Sequence, residues 1–226
     1  MKVLKKGIVI ICLIFSVFLS AQNEKTDDKD QLIEKMCYEL KNSENQNDSV
    51  RFTILKEKYI LPYLNKFPAA DRRIQNDNLY FRFQKMCEHF RDFLSRSKPI
   101  KNKYWTKVDI KPEITVTNKE ILELKNSKNL YYFEYSGKKT LVKTDTEFWI
   151  ETFTDDTYSK LFYRWIGFNK FELEFIESNN KTKKNFSKKG EKFIYEVINK
   201  ENNYFWVLVE IPGQSRLVKF KLFEEK

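Results

Sequence analysis

Hydrophobic positions recur at helical spacing in the first part of the chain and switch to alternation in its second half. Leu32, Ile33, Met36, Cys37 and Leu40 share one stripe of a 3.6-residue period. Asp27, Asp28 and Asp30 stand at its start, where the positive end of a helix favours acids. A polar break over 42–47 follows, and Asp48 or Ser49 can cap a second helix. That helix carries Phe52, Leu55, Tyr59 and Tyr63 on one side, with Pro62 bending or ending it. Pro68 opens a third, long helix with Leu79, Phe83, Met86, Cys87, Phe90 and Phe93 at three- and four-residue steps, stopped at 97–99.

From about Leu130 the period becomes two. Eight candidate strands lie at 130–135, 140–144, 146–153, 158–168, 171–177, 192–199, 204–211 and 216–223. Gly137, Gly167, Gly190 and Gly213 each mark a connection between them, and Pro212-Gly213 fits a type II turn. Short connections imply antiparallel neighbours in chain order. The predicted class is α+β: a helical module of three helices over 22–99, a junction over 100–128, and an antiparallel β-meander or barrel of about eight strands over 129–226. Within the junction, 114–117 reads as a further strand and 119–124 as a short helix.

Composition narrows the chemistry by exclusion. Five glycines, none close to another, cannot build a dinucleotide fingerprint, a phosphate loop or a nucleophile elbow. One histidine, His89, rules out multi-histidine metal sites. No cofactor and no metal is expected. Among carboxylate pairs, Glu172 and Glu174 share a strand face opposite Phe171, Leu173 and Phe175, which places them in solvent without the burial a proton donor needs. Glu147/Glu151 and Asp155-Asp156 are the other pairs, and no serine or threonine has a recognisable base beside it. Cys87 and His89, two apart on a helix, do not face each other. The balance is against an enzyme, and a hydrolase ranks third among the functional readings.

The first 21 residues read as a secretory signal. Lys2, Lys5 and Lys6 precede an apolar run over 7–19, which reaches about 20 Å as a helix, short of a ~30 Å bilayer core. Ser20-Ala21 offers a cleavage site before Gln22; an uncleaved anchor is the alternative. No later stretch is apolar enough to span a membrane, so the expected location is periplasmic or secreted. Two cysteines then remain, Cys37 and Cys87. An even pair in an exported chain favours a disulfide over two buried thiols, and it would staple the first helix to the third.

Removing the signal lowers the formal charge from +10 to +7. Much of the remaining excess sits in one stretch, Lys181, Lys183, Lys184, Lys188 and Lys189, with no acid between them. A lysine loop at a hairpin end reads first as a solvated loop and second as a contact for an anionic envelope surface. Nucleic acid is not the expected partner, since a basic face with arginine forks is missing. Asn47, Asn180 and Asn185 open Asn-X-Ser/Thr triplets. Asp48-Ser49-Val50 resembles a short O-glycosylation signal of some Gram-negative secreted proteins, and is equally explained as a helix cap.

The runs Trp149-Ile150-Glu151, Tyr163-Arg164-Trp165-Ile166-Gly167 and Phe171-Glu172-Leu173 resemble small exported β-meander proteins of Gram-negative bacteria with a lipocalin-like sheet. The resemblance covers about 129–223. A cysteine that such proteins often carry after the tryptophan strand is replaced here by Phe168-Asn169. The resemblance implies the fold and a ligand cleft on the aromatic face, but no activity. The leading expectation is an exported, non-catalytic binding protein for an apolar or amphipathic small molecule, with Trp149, Tyr163, Trp165 and Trp206 as its wall. The rival is an envelope interaction protein whose aromatics fill a closed core and whose helical module docks a partner.

Overall fold

The computed structural model describes residues 28–97, 103–210 and 217–225. The expected signal segment and the turn expected at Pro212-Gly213 lie outside the described residues. Eight strands follow the chain as an antiparallel meander: β2 (Asn129–Phe133), β3 (Lys139–Thr144), β4 (Phe148–Thr152), β5 (Tyr158–Trp165), β6 (Lys170–Ser178), β7 (Lys192–Glu201), β8 (Tyr204–Glu210) and β9 (Leu217–Glu224). β9 pairs with β8 along one edge and with β2 along the other, so the meander closes into a barrel. This closed antiparallel eight-stranded barrel fits a lipocalin-like fold. An additional short strand, β1 (Trp105–Val108), extends β2's side of β9, with Trp105 opposite Phe220.

Alternation decides the inside. Thr140, Val142 and Thr144 of β3, Ser159, Leu161 and Tyr163 of β5, and Phe171, Leu173 and Phe175 of β6 are buried, while their neighbours face out. Register shifts opposite Lys160/Leu161, where Ile176 of β6 is the extra residue, and at Val197/Asn199 of β7 mark β-bulges, which let strands coil tightly enough to close. Gly137 and Gly190 take φ of 81° and 84° at two connections, a region where a side chain would be strained.

The segment 114–117, expected as a strand, is not one. Its Thr115 and Val116 amides both donate to the Ile198 carbonyl opened by the β7 bulge, which leaves no ladder to extend. It leads into α6 (Asn118–Asn126), where Thr117 and Glu120 form a reciprocal capping box. Ile121 and Leu124 of α6 join the barrel core, so this helix plugs one end.

The helical module packs α1 (Asp28–Asn42), α2 (Asp48–Leu55), α3 (Leu61–Leu64), α4 (Arg72–Met86) and α5 (Glu88–Ser97) around Ile33, Met36, Leu40, Leu55, Leu79, Phe83 and Phe90. Asn47, one residue earlier than expected, caps α2, its Oδ1 accepting from the Ser49 amide at 2.8 Å. Pro62 does not end that helix. A π-helical turn (Lys56–Ile60) precedes it and carries the Leu61 amide to the Lys56 carbonyl, a five-residue step that accommodates the missing proline N–H. The third helix is not continuous. Cys87 adopts extended backbone (φ −118°, ψ 109°) between α4 and α5, and its Sγ accepts from the Phe90 amide. Cys87 is bonded to Cys37 with Cα atoms 5.5 Å apart, joining α1 to the α4–α5 corner.

The lysine-rich stretch is not a loose loop. Asn180 caps a helix, α7 (Lys181–Phe186), its side chain accepting from Thr182 and Lys183. α7 packs on α4 and ties the module to the barrel end where the β2–β3, β4–β5 and β6–β7 connections gather. Lys181 pairs with Asp77 of α4, and Lys183 with Glu134 at 2.9 Å. Beneath them, Arg82 bonds Asp30 at 3.2 Å and Glu191 at 2.6 Å, Lys85 bonds Glu191, and Lys188 bonds Asp30 at 2.6 Å. Burial works to raise both acids, but hydrogen bonds from Arg82 and Lys188 hold Asp30, and from Lys85 and Lys188 hold Glu191, below the usual carboxylate range.

Closing the fifty-residue separation by Cys37–Cys87 stabilises the fold by about 4 kcal/mol in the chain-entropy account. Cys37→Ser/Cys87→Ser should lose about that much in urea unfolding; an unchanged midpoint would show the staple to be dispensable. Lys85 is 1% exposed, and desolvation pushes its ammonium down to about 8 from an ordinary 10.5. Between those values the unfolded chain keeps a proton that the folded one releases, so stability relative to Lys85→Met should rise with pH across that window. A flat difference would show that Lys85 does not titrate there. Glu191→Gln, which removes the carboxylate that Arg82 and Lys85 share, should cost about 3 kcal/mol in the same unfolding assay.

Candidate functional site

The barrel interior holds a chain of aromatic rings. Phe171, 1% exposed, lies 5.0 Å from Tyr195, 5.8 Å from Trp149, 5.4 Å from Tyr163 and 5.3 Å from Trp165 between ring centres. Tyr195 continues to Phe220 at 6.1 Å, and Phe220 to Trp105 at 4.7 Å and Tyr132 at 5.7 Å. Trp105, Trp165 and Tyr195 are only partly buried. Burial raises the Tyr195 and Tyr163 phenols far above their ordinary value, so both stay neutral donors.

Of the four wall residues expected from sequence, the structure brings three together. Trp149, Tyr163 and Trp165 share the interior, with the Trp165 indole donating to the Tyr163 hydroxyl at 2.7 Å. Trp206 stands outside. The β7 bulge pairs Trp206 with Asn199, and it packs with Ile198 and Leu208 in a small outer cluster, its indole donating to Glu201 at 3.0 Å. Sequence could not show this, because Phe205 to Val209 are buried on both faces and give no alternation. Of the expected anionic-surface lysines, Lys181, Lys183 and Lys188 are ion-paired within the fold, and Lys184 and Lys189 are exposed.

Sequence reasoning weighed Glu151 only as half of a carboxylate pair with Glu147. Two positions after the buried Trp149 on β4, it points inward. Its Oε1 accepts from the Tyr132 hydroxyl at 2.9 Å and from the Trp149 indole at 3.4 Å. Desolvation and the neighbouring Glu151 charge raise the Tyr132 phenol well above its ordinary value. Among the described residues no lysine, arginine or histidine pairs with Glu151. It is half-buried, so solvent reaches it. Across the β2–β3 pairing, Thr140 stands opposite Tyr132 on the same inner face, 1% exposed, and its hydroxyl has no hydrogen-bond partner among the described residues. The usable signal was strand parity: Trp149 and Glu151 must share a face, and a tryptophan in a meander faces the core.

Other charged groups are accounted for. Glu172 and Glu174 lie outside, bridged by Arg164 at 2.5 and 2.7 Å. A polar surface groove of about 530 Å³ on the helical module contains His89, but its charges pair among themselves, His89 with Glu44 at 3.0 Å and Asp48 with Arg51 and Arg96 at 3.0 and 3.1 Å. Among the described residues no group of three or more metal-ligating side chains comes together, and no helix is long and apolar enough to cross a membrane. The chain matches no protein-family model, no curated protein and no solved structure.

The Glu151 cluster makes a stability prediction. Tyr132→Phe removes a donor from a half-buried carboxylate and should cost about 1 kcal/mol. Tyr132→Phe combined with Glu151→Leu removes both partners and should recover most of that loss in urea unfolding. A double variant less stable than the single would make Glu151 a structural requirement of the barrel.

Proposed function

We propose that the protein is an exported, non-catalytic binding protein whose barrel interior takes an amphipathic small molecule. The observation that carries this reading is Glu151: a carboxylate on the inner face of an aromatic barrel, hydrogen-bonded only by neutral donors among the described residues. A barrel that needed only a core would be served at least as well by an apolar side chain there, since burying a charge is costly. Eight strands enclose an interior that side chains fill or that holds one small ligand. The partly exposed Tyr195, which feels the Glu151 charge, and Trp105, which packs on Tyr132, supply apolar surface on that wall. The disulfide supports an oxidising compartment.

One observation favours the rival reading. Phe171 and the rings around it touch one another, which is how a closed core looks, and the helical module would then be the working surface. Native mass spectrometry of the protein, purified without denaturation from its own compartment, separates the two. A small added mass that leaves on unfolding, and is lost in Val142→Trp where a larger ring is set opposite Glu151, supports the ligand-binding barrel. A bare chain in complex with a second protein supports the rival.

A further inference from the structure

The class of ligand follows from which groups face inward without a counterpart. Resting on the ligand-binding reading above, we infer that the barrel selects a protonated amine attached to an apolar or aromatic body, with the ammonium held by Glu151 and Thr140. Glu151 supplies negative charge, and neither Tyr132 nor Trp149 neutralises it, because both donate hydrogen bonds without carrying charge. A half-buried carboxylate in a wall of low polarity attracts a cation more strongly than one in water does. Charged groups inside proteins are as a rule paired, and no residue described here pairs Glu151.

Thr140 narrows the choice further. Its buried hydroxyl lies beside Tyr132, the residue that holds Glu151, and can accept a hydrogen bond from a second N–H of the same ammonium. A primary amine has three such hydrogens, whereas a quaternary ammonium has none. The rings also suit a cation. Trp105, Tyr132, Phe220 and Tyr195 form a connected set on the wall near Glu151, and ring faces attract positive charge. An anionic ligand would meet like charge, and a neutral one would leave the carboxylate desolvated and unpaired.

The test uses four probes of matched size on the purified protein: 2-phenylethylamine, trimethyl(2-phenylethyl)ammonium, 2-phenylethanol and phenylacetate. Binding is read by isothermal titration and by quenching of the interior tryptophans. The primary amine should bind about tenfold or more tighter than the alcohol, with the quaternary cation between them and phenylacetate weakest. Glu151→Gln should erase the preference for the amine over the alcohol while the alcohol's own affinity stays within about twofold. Thr140→Val should bring the primary amine down to the quaternary cation and leave the latter unchanged. A thermal melt checks that each variant is folded, and Glu151→Asp, which keeps the charge, should retain part of the preference if Glu151→Gln does not fold. Equal affinity for amine and alcohol, or a preference that survives Glu151→Gln, overturns the amine assignment but leaves a binding barrel. Failure of all four probes, with no small mass carried by the native protein, overturns the binding reading as well.

Discussion

The fold depends on the closure of β9 against both β8 and β2. Once Leu222 pairs with Phe205 on one side and Tyr132 on the other, no edge of the meander remains open there, and inward and outward faces are set for every strand by parity. Eight strands also fix the width of the cylinder. Aromatic side chains of neighbouring strands then stand side by side on the inner face, which is why Phe171 of β6 contacts rings from β4, β5 and β7. The two bulges are part of the same constraint, since untwisted strands would not meet.

A closed barrel still has two ends, and this one covers them by different physics. At one end α6 inserts Ile121 and Leu124, an apolar plug held by a capping box and by Lys125 over the Trp165 ring at 4.4 Å. At the other, the helical module attaches through charges: Asp30, Arg82, Lys85, Lys188 and Glu191 form one partly buried network. Such a network specifies a single docking geometry more than it adds stability, because each charge gives up water on burial. The disulfide within the module serves that geometry by fixing α1, which carries Asp30, against the α4–α5 corner next to Arg82 and Lys85.

Glu151 belongs to neither device. The covering elements need no carboxylate inside the barrel, and the two donors that hold Glu151 leave its charge intact. The interior is therefore apolar, aromatic and locally anionic, and the proposed amine preference rests on that sign.

Much of the architecture was legible along the chain, and the reasons are local. Period-two alternation marked β2 to β7 and β9, helical stripes marked α1 and the helix pair around Cys87, and an even cysteine count after the expected signal pointed to Cys37–Cys87. These depend only on spacing and on the exclusion of apolar side chains from water, which act residue by residue. What the tertiary structure alone decided involves groups far apart in sequence. Cys87 breaks a helix that its own stripe continues, because it meets Cys37. The acid-free stretch with Lys181, Lys183 and Lys188 docks, its first part as a helix, because their counter-charges Asp77, Glu134 and Asp30 lie 49 or more residues away and reach it only after closure. Trp206 faces out because it pairs with Lys221 on the outer face of β9, while Phe205 and Val207 pair with the inward Leu222 and Phe220. Glu151 gained its hydrogen bond from Tyr132 only when the sheet set β2 and β4 on either side of β3, a relation between separate strands that no local pattern encodes.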